Sequence, residues 1–250
     1  MSRVVLITGA TSGFGKECAR MFAKNGDKII ICGRRAKRLE ELKIELGNSD
    51  VTTLCFDVCD KKSVFEHINS LCEPYKNIDI LINSAGLALG LGLAPDALID
   101  DWERMIDTNI KGLLYVTKAV LPVMIERKSG YIFNLGSIAG SWPYKGGNVY
   151  GASKAFVEQF SYNLRTDLEG INIRVSNIEP GAAKTEFSDV RFKGKTAQAD
   201  KVYDGYEPLV AKDIANLIFT LSNLPSHVNV NSLEVMPTAQ TWAGLHVCKK

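Results

Sequence analysis

From Val4 onward the chain alternates short apolar runs with longer segments of helical periodicity, and that alternation leaves few folds open. Residues 4–7, 28–32, 51–56, 80–82, 131–135 and 172–177 read as strands, with Leu233-Glu234-Val235 as a last edge strand. Between them helices are expected over about 13–25, 36–46, 61–74, 100–126 (bent at Pro122), 150–168 and 211–223. Ala152, Phe156, Phe160, Leu164 and Leu168 keep one apolar face on the fifth of these. Connections this long are crossovers rather than hairpins, so the strands run parallel and the crossovers are right-handed. The expected fold is α/β: a doubly wound parallel sheet of about seven strands with helices on both faces. Ligands in such sheets bind at the carboxyl ends of the strands. With 250 residues and no linker or repeat, residues 1–250 should form one domain.

The turn after the first strand, Thr8-Gly9-Ala10-Thr11-Ser12-Gly13-Phe14-Gly15, spaces its glycines G-x-x-x-G-x-G. Glycines turn tightly, let a backbone approach a ligand closely, and place a pyrophosphate at the following helix N-terminus. Turns use glycine anyway, but in this position the cluster points to a Rossmann-like dinucleotide site. At the end of strand two, where an NAD site would want an acid, stand Gly33-Arg34-Arg35-Ala36-Lys37-Arg38. A solvated helix face is one reading. A 2′-phosphate held by Arg34, with Arg35 next in line, is the other, and it favours NADP. Asp57, ending strand three, is either an adenine contact or a residue at a helix start.

Tyr150 and Lys154 lie four apart, one turn of a helix, and Ser137 comes thirteen residues before Tyr150, just past the fifth strand. A phenol near pH ~10 is a poor base at neutral pH, and a neighbouring ammonium favours its phenolate. Serine, tyrosine and lysine converging on one oxygen would form a proton-transfer site for an alcohol or a carbonyl. Tyr-x-x-x-Lys also occurs on helices with no chemistry, so the pattern counts only in context.

In order and spacing, Thr8 to Gly15, Asp57-Val58, Asn83-Ser84-Ala85-Gly86, Asn109, Ser137, Tyr150/Lys154 and Pro180-Gly181 resemble the short-chain dehydrogenase/reductase family over the whole chain. Ser84 departs from the family's usual second asparagine. The stretches 136–144, 146–150, 190–192 and 233–237 most resemble the NADP-dependent 3-hydroxy acid dehydrogenases acting on serine and allo-threonine. The resemblance implies Tyr150 as acid/base, Ser137 as hydrogen-bond partner of the substrate oxygen, and Lys154 on the nicotinamide ribose. It implies that Asn109 holds a water linking Lys154 to solvent, although an asparagine inside a helix can also just satisfy a backbone group. Gly9, Thr11, Ser12, Gly13, Phe14, Gly15, Arg34, Arg35, Asp57, Val58, Asn83, Ala85, Gly86, Pro180, Gly181 and Thr185 are the implied cofactor contacts. Thr185 faces the nicotinamide carboxamide. The polar segment of about 186–205 reads as a substrate lid or a mobile loop, and its Arg191 as a partner for a substrate carboxylate. Residues 87–93 form a wall of the site or a plain turn. The tail 237–250 covers its own core or a neighbour's site.

The expected function is hydride transfer between NADP and small 3-hydroxy acids (serine, allo-threonine, 3-hydroxyisobutyrate). A broad-range NADPH-dependent carbonyl reductase is the alternative. A net charge of +2 gives no bias toward nucleic acid or anionic membrane. The apolar stretch 78–94 is interrupted by Asp79, Asn83 and glycines and fails as a membrane span. Three distant histidines argue against a histidine metal site. Six cysteines without Cys-x-x-Cys, and an N-terminus without a secretory pattern, suggest a reducing cytoplasm and no disulfides. By resemblance the assembly should be a homotetramer, built through the helices carrying Asn109 and Tyr150.

Overall fold

β1 (Val4–Ile7) sends Val5 and Ile7 into one hydrophobic cluster and Val4 and Leu6 into another, so it is buried on both faces. The computed structural model describes residues 2–47, 50–194, 202–242 and Val247. Around β1 lie β2 (Lys28–Gly33), β3 (Val51–Cys55), β4 (Ile80–Asn83), β5 (Gly130–Leu135), β6 (Ile173–Pro180) and β9 (Ser232–Val235). They form one seven-stranded sheet in the order β3-β2-β1-β4-β5-β6-β9, every pairing parallel. The order reverses between β1 and β4, and ligands of doubly wound sheets bind at such a point.

On one face pack α1 (Gly13–Lys24), α2 (Ala36–Leu46) and α8 (Ala211–Ser222), through Phe22, Leu39, Leu42, Ile214 and Ile218. On the other pack α3 (Lys61–Asn69), α5 (Leu113–Arg127) and α6 (Asn148–Asp167), through Val64, Ile68, Val116, Val120 and Leu164. Two short strands, β7 (Ala183–Lys184) and β8 (Leu209–Val210), pair beside the lid helix α7 (Glu186–Arg191). Among the described residues no helix is long and apolar enough to cross a membrane.

The largest departures from the expected elements lie in α3, β6 and the long helix. α3 stops at Asn69, with Ser70 as its C-cap, instead of at about residue 74, and Pro74 keeps Glu73 from extending it. β6 begins at Ile173, since Asn172 takes a left-handed φ of 58°, and it continues through Pro180 to pair with β9. The long helix runs through Pro122, which sits inside α5, and changes its ladder at Asp107–Gly112. There a π segment joins α4 (Ile99–Ile106) to α5. A Cβ on Gly112 would lie 2.7 Å from Val58 Cγ2, so this segment needs glycine to close over the β3 loop.

Candidate active site and dinucleotide cleft

The glycine turn is shaped by close contact. Gly9 has φ +65°, and a Cβ there would lie 2.9 Å from the Ala85 backbone. One on Gly15 would lie 2.6 Å from the Gly9 carbonyl oxygen. Thr8 Oγ1 accepts the amides of Ser84 (3.1 Å) and Ala85 (3.0 Å), binding the β1 turn to the β4 exit loop. The Ser84 departure therefore leaves that loop held. Ser12 precedes α1 without a side-chain cap, and the first turn holds no acid, which suits the helix end to an anion.

A cleft of about 220 Å³ runs from this turn, lined by Gly9, Thr11, Ser12, Gly13, Phe14, Arg34, Arg35, Asp57, Val58, Ala85, Gly86 and Thr185. At its outer end Arg35 donates to Thr11 Oγ1 (2.6 and 3.1 Å) and Ser12 Oγ (3.0 Å), lying across the glycine turn. Arg34 reaches Asp57 Oδ2 at 3.4 Å, and Arg104 donates to the same oxygen at 2.8 Å. Burial would raise the Asp57 carboxyl, but Arg104 and the Cys59 amide hold it far below the usual carboxylate range. An adenine contact there must share the carboxylate with two arginines. Arg104 was not singled out in the sequence because it lies on α4, separated from Asp57 by a whole crossover.

An adjoining hollow of about 430 Å³ contains Ser137, Tyr150, Lys154, Pro180, Gly181, Thr185 and Arg191. β5 ends just before Ser137, whose hydroxyl accepts the Ala139 amide at 3.1 Å and reaches the Pro180 carbonyl at 3.5 Å. Tyr150 and Lys154 stand on α6, both buried, with Lys154 Nζ 5.9 Å from the Tyr150 ring centroid. Lys154 donates to the Leu135 carbonyl at 2.6 Å. Burial pushes the Tyr150 phenol up to about 12, opposed by the Ser137 hydroxyl and Arg191, and pushes the Lys154 ammonium down to about 8. In the protein alone burial therefore sets the direction of the Tyr150 shift.

Asn109 lies in the π segment. Its amide pairs with both backbone groups of Leu87 (2.9 Å each) and donates to Ser153 Oγ at 3.0 Å. The side chain is therefore committed to positioning the loop that starts at Leu87 against α6. Asn83 is turned into the core, donating to Thr117 Oγ1 and Asn134 Oδ1 at 2.9 Å, and its side chain lines neither hollow. Gly15 likewise lines neither, and acts through its contact with Gly9.

Thr185 caps α7 by accepting the Phe187 amide at 3.2 Å, so the start of the expected lid is helical despite its weak periodicity. Arg191 donates to Tyr144 Oη at 2.6 Å and to the Gly90 carbonyl at 3.3 Å, and its guanidinium carbon lies 5.5 Å from the Tyr150 ring centroid. Residues 195–201 of the lid and 243–246 and 248–250 of the tail lie outside the described residues. Of the described tail, Gln240 and Val247 line this chain's own hollow, with Gln240 Oε1 accepting the Ala182 amide at 2.8 Å. Tyr144 and Gln240 are further site residues that no spacing in the sequence marked.

A sequence model described as short chain dehydrogenase matches residues 3–196. The chain is 54% identical to the NADP-dependent 3-hydroxy acid dehydrogenase YdfG of Escherichia coli strain K12 over 245 residues, 98% of each chain. It is 54% identical to sulfoacetaldehyde reductase 2 of Chromohalobacter salexigens over 249 residues, 99% of each. The structure is similar to the closed form of a serine dehydrogenase complexed with NADP+, with TM-score 0.94 and 53% identity over 98% and 99% of the two chains.

Proposed function

This chain belongs to the short-chain dehydrogenase family, and on that premise we propose that it moves a hydride between NADP and the hydroxyl-bearing carbon of small 3-hydroxy acids such as serine, allo-threonine and 3-hydroxyisobutyrate. It is an oxidoreductase acting on CH–OH groups, and its cofactor is NADP. The cleft supports that reading: its glycine turn is too close-packed for side chains, as close approach of a pyrophosphate requires, and Arg34 and Arg35 line it as cations for a 2′-phosphate. NADP accepts or supplies the hydride.

Oxidation requires the substrate hydroxyl proton to leave as the carbon gives up its hydride. As the phenolate, Tyr150 Oη takes that proton and becomes the phenol, and Ser137 Oγ steadies the substrate oxygen beside it. In reduction Tyr150 donates instead, and its neutral form is the one favoured at neutral pH. Lys154 would hold the nicotinamide ribose, and Asn109 keeps the Leu87 loop and α6 in register.

The observation that carries the substrate class is Arg191. A guanidinium beside Tyr150, fixed by Tyr144 and Gly90, offers a carboxylate a charge-assisted partner within reach of the proton-transfer oxygen. The same cation suits a sulfonate, which the sulfoacetaldehyde reductase relative favours as a second reading. Initial rates with NADP+ at pH 9 for 3-hydroxy acids and their methyl esters, and with NADPH for sulfoacetaldehyde, test the choice. Equal rates for acids and esters would overturn the anionic reading.

We include assembly and location in the proposal. Leu98 and Ile99 at the start of α4 are 58% and 62% exposed, which supports burial against other copies in a homotetramer. The described cysteines are free, which supports a cytoplasmic protein.

A further inference from the structure

Each arginine near the expected 2′-phosphate already has a carboxylate. Arg34 faces Asp57, whereas Arg35 and Arg38 share Glu186, with Arg38 Nη1 2.7 Å and Arg35 Nη1 3.5 Å from Glu186 Oε2. Lys37, between them, points into solvent and pairs with Glu41. Glu186 is the first residue of α7, the helix that carries Phe187 and Arg191 to the Tyr150 hollow. One carboxylate thus ties the α2 cations to the element that shapes the substrate site. Its side chain is 48% exposed and that of Arg38 43%, so the pair is open to displacement.

We propose that Glu186 is a specificity-determining residue, an internal anion that occupies Arg35 and Arg38 until the 2′-phosphate of NADP displaces it and frees α7. This rests on the reading that these arginines bind the 2′-phosphate. A dianionic phosphate carries more charge than one carboxylate and reaches both guanidiniums, so it wins the exchange. A dinucleotide without that phosphate leaves Glu186 in place. The 2′-phosphate is then sensed by the substrate-site helix as well as by the arginines. Glu186 also lowers NADP affinity, because it must be displaced first.

The test titrates 2′,5′-ADP and 5′-ADP into the full-length wild type and Glu186→Gln by calorimetry at fixed low ionic strength. Hydrogen exchange is followed over 187–194. The wild type should prefer 2′,5′-ADP. In Glu186→Gln, 2′,5′-ADP should tighten by about 3- to 10-fold and 5′-ADP by less than about twofold. In the wild type, α7 amides should exchange faster with 2′,5′-ADP than with 5′-ADP, and the variant should show no such difference. A discriminating wild type whose variant binds 2′,5′-ADP unchanged or more weakly overturns the displacement and makes Glu186 a support for the arginines. A wild type blind to the 2′-phosphate removes the phosphate site itself, and the displacement with it.

Discussion

Tyr150 and Lys154 are both driven by burial toward their uncharged forms, with opposite consequences for the reaction and for the fold. A phenol raised to about 12 stays protonated at neutral pH, the form reduction needs and oxidation lacks, so oxidation should quicken as pH rises and more phenolate forms, whereas reduction should not. Tyr150→Phe keeps the ring and removes the proton. Turnover should drop by about 10²–10⁴ while the dissociation constant for NADP stays within a few-fold, measured by initial rates and fluorescence titration. Lys154 falls from 10.5 to about 8 on folding. Between those values the unfolded chain holds more proton, so this group makes stability rise with pH across that window, its penalty being complete below pH 8. Lys154→Met should therefore stabilise the cofactor-free protein at pH 7 by on the order of 1–3 kcal/mol, flatten that rise, and abolish turnover. Urea denaturation at pH 7 and at pH 10 checks this, and a less stable variant would mean that the bond to the Leu135 carbonyl matters more than the burial. Arg191→Ala should raise KM for 3-hydroxy acids at least ~10-fold and change uncharged substrates little. Equal losses for both classes would assign Arg191 to holding α7 on the Gly90 loop.

At the scale of elements, the cleft is built where β1, β4 and β5 end and where two helices begin. The β1–α1 turn tolerates no side chain at its tightest point. Gly15→Ala would push a Cβ into the Gly9 carbonyl, backbone that cannot step aside, and should cost about 1–3 kcal/mol and weaken dinucleotide binding. Thermal melts and NADP titration measure the two effects, and wild-type values in both would show that α1 can shift. The π segment supplies another positioning device: it sets Asn109 facing Leu87 and Ser153. π-bulges recur at functional sites because the extra residue re-aims a side chain that a regular ladder would misplace. Apolar periodicity does not mark it, since one extra residue in a turn is invisible in a hydrophobic stripe.

At the scale of the whole molecule, Leu98 before α4 and Ile99 and Ile106 on it are exposed apolar side chains that a contact between copies would bury. Sedimentation should give a species of about four times 27.4 kDa, stable to moderate dilution. A monomer at working concentration would refute the tetramer and leave that surface for another partner. Assembly through this face would also buttress α4, which carries Arg104 to Asp57.

The sheet, its parallel sense and the helix on each crossover were legible because they follow from short-range pattern. A strand buried on both faces must be apolar throughout, as in Ile29-Ile30-Ile31, and a crossover helix must keep one apolar stripe, as Leu39 and Leu42 do on α2. The glycine turn and the Tyr150/Lys154 pair were legible for the same reason, being set within one or two turns of chain. Other features depend on which distant residues meet. Arg104 shares Asp57 with Arg34, Glu186 bridges Arg35 and Arg38 across about 150 residues, Tyr144 fixes Arg191, and Asn83 is spent on Thr117 and Asn134. The sign of the Tyr150 shift was also decided there, since desolvation depends on everything packed around the ring and not on the lysine one turn away. Local spacing determines which groups are present at the carboxyl end of the sheet; only the packed chain determines which charges they meet and how much water they keep.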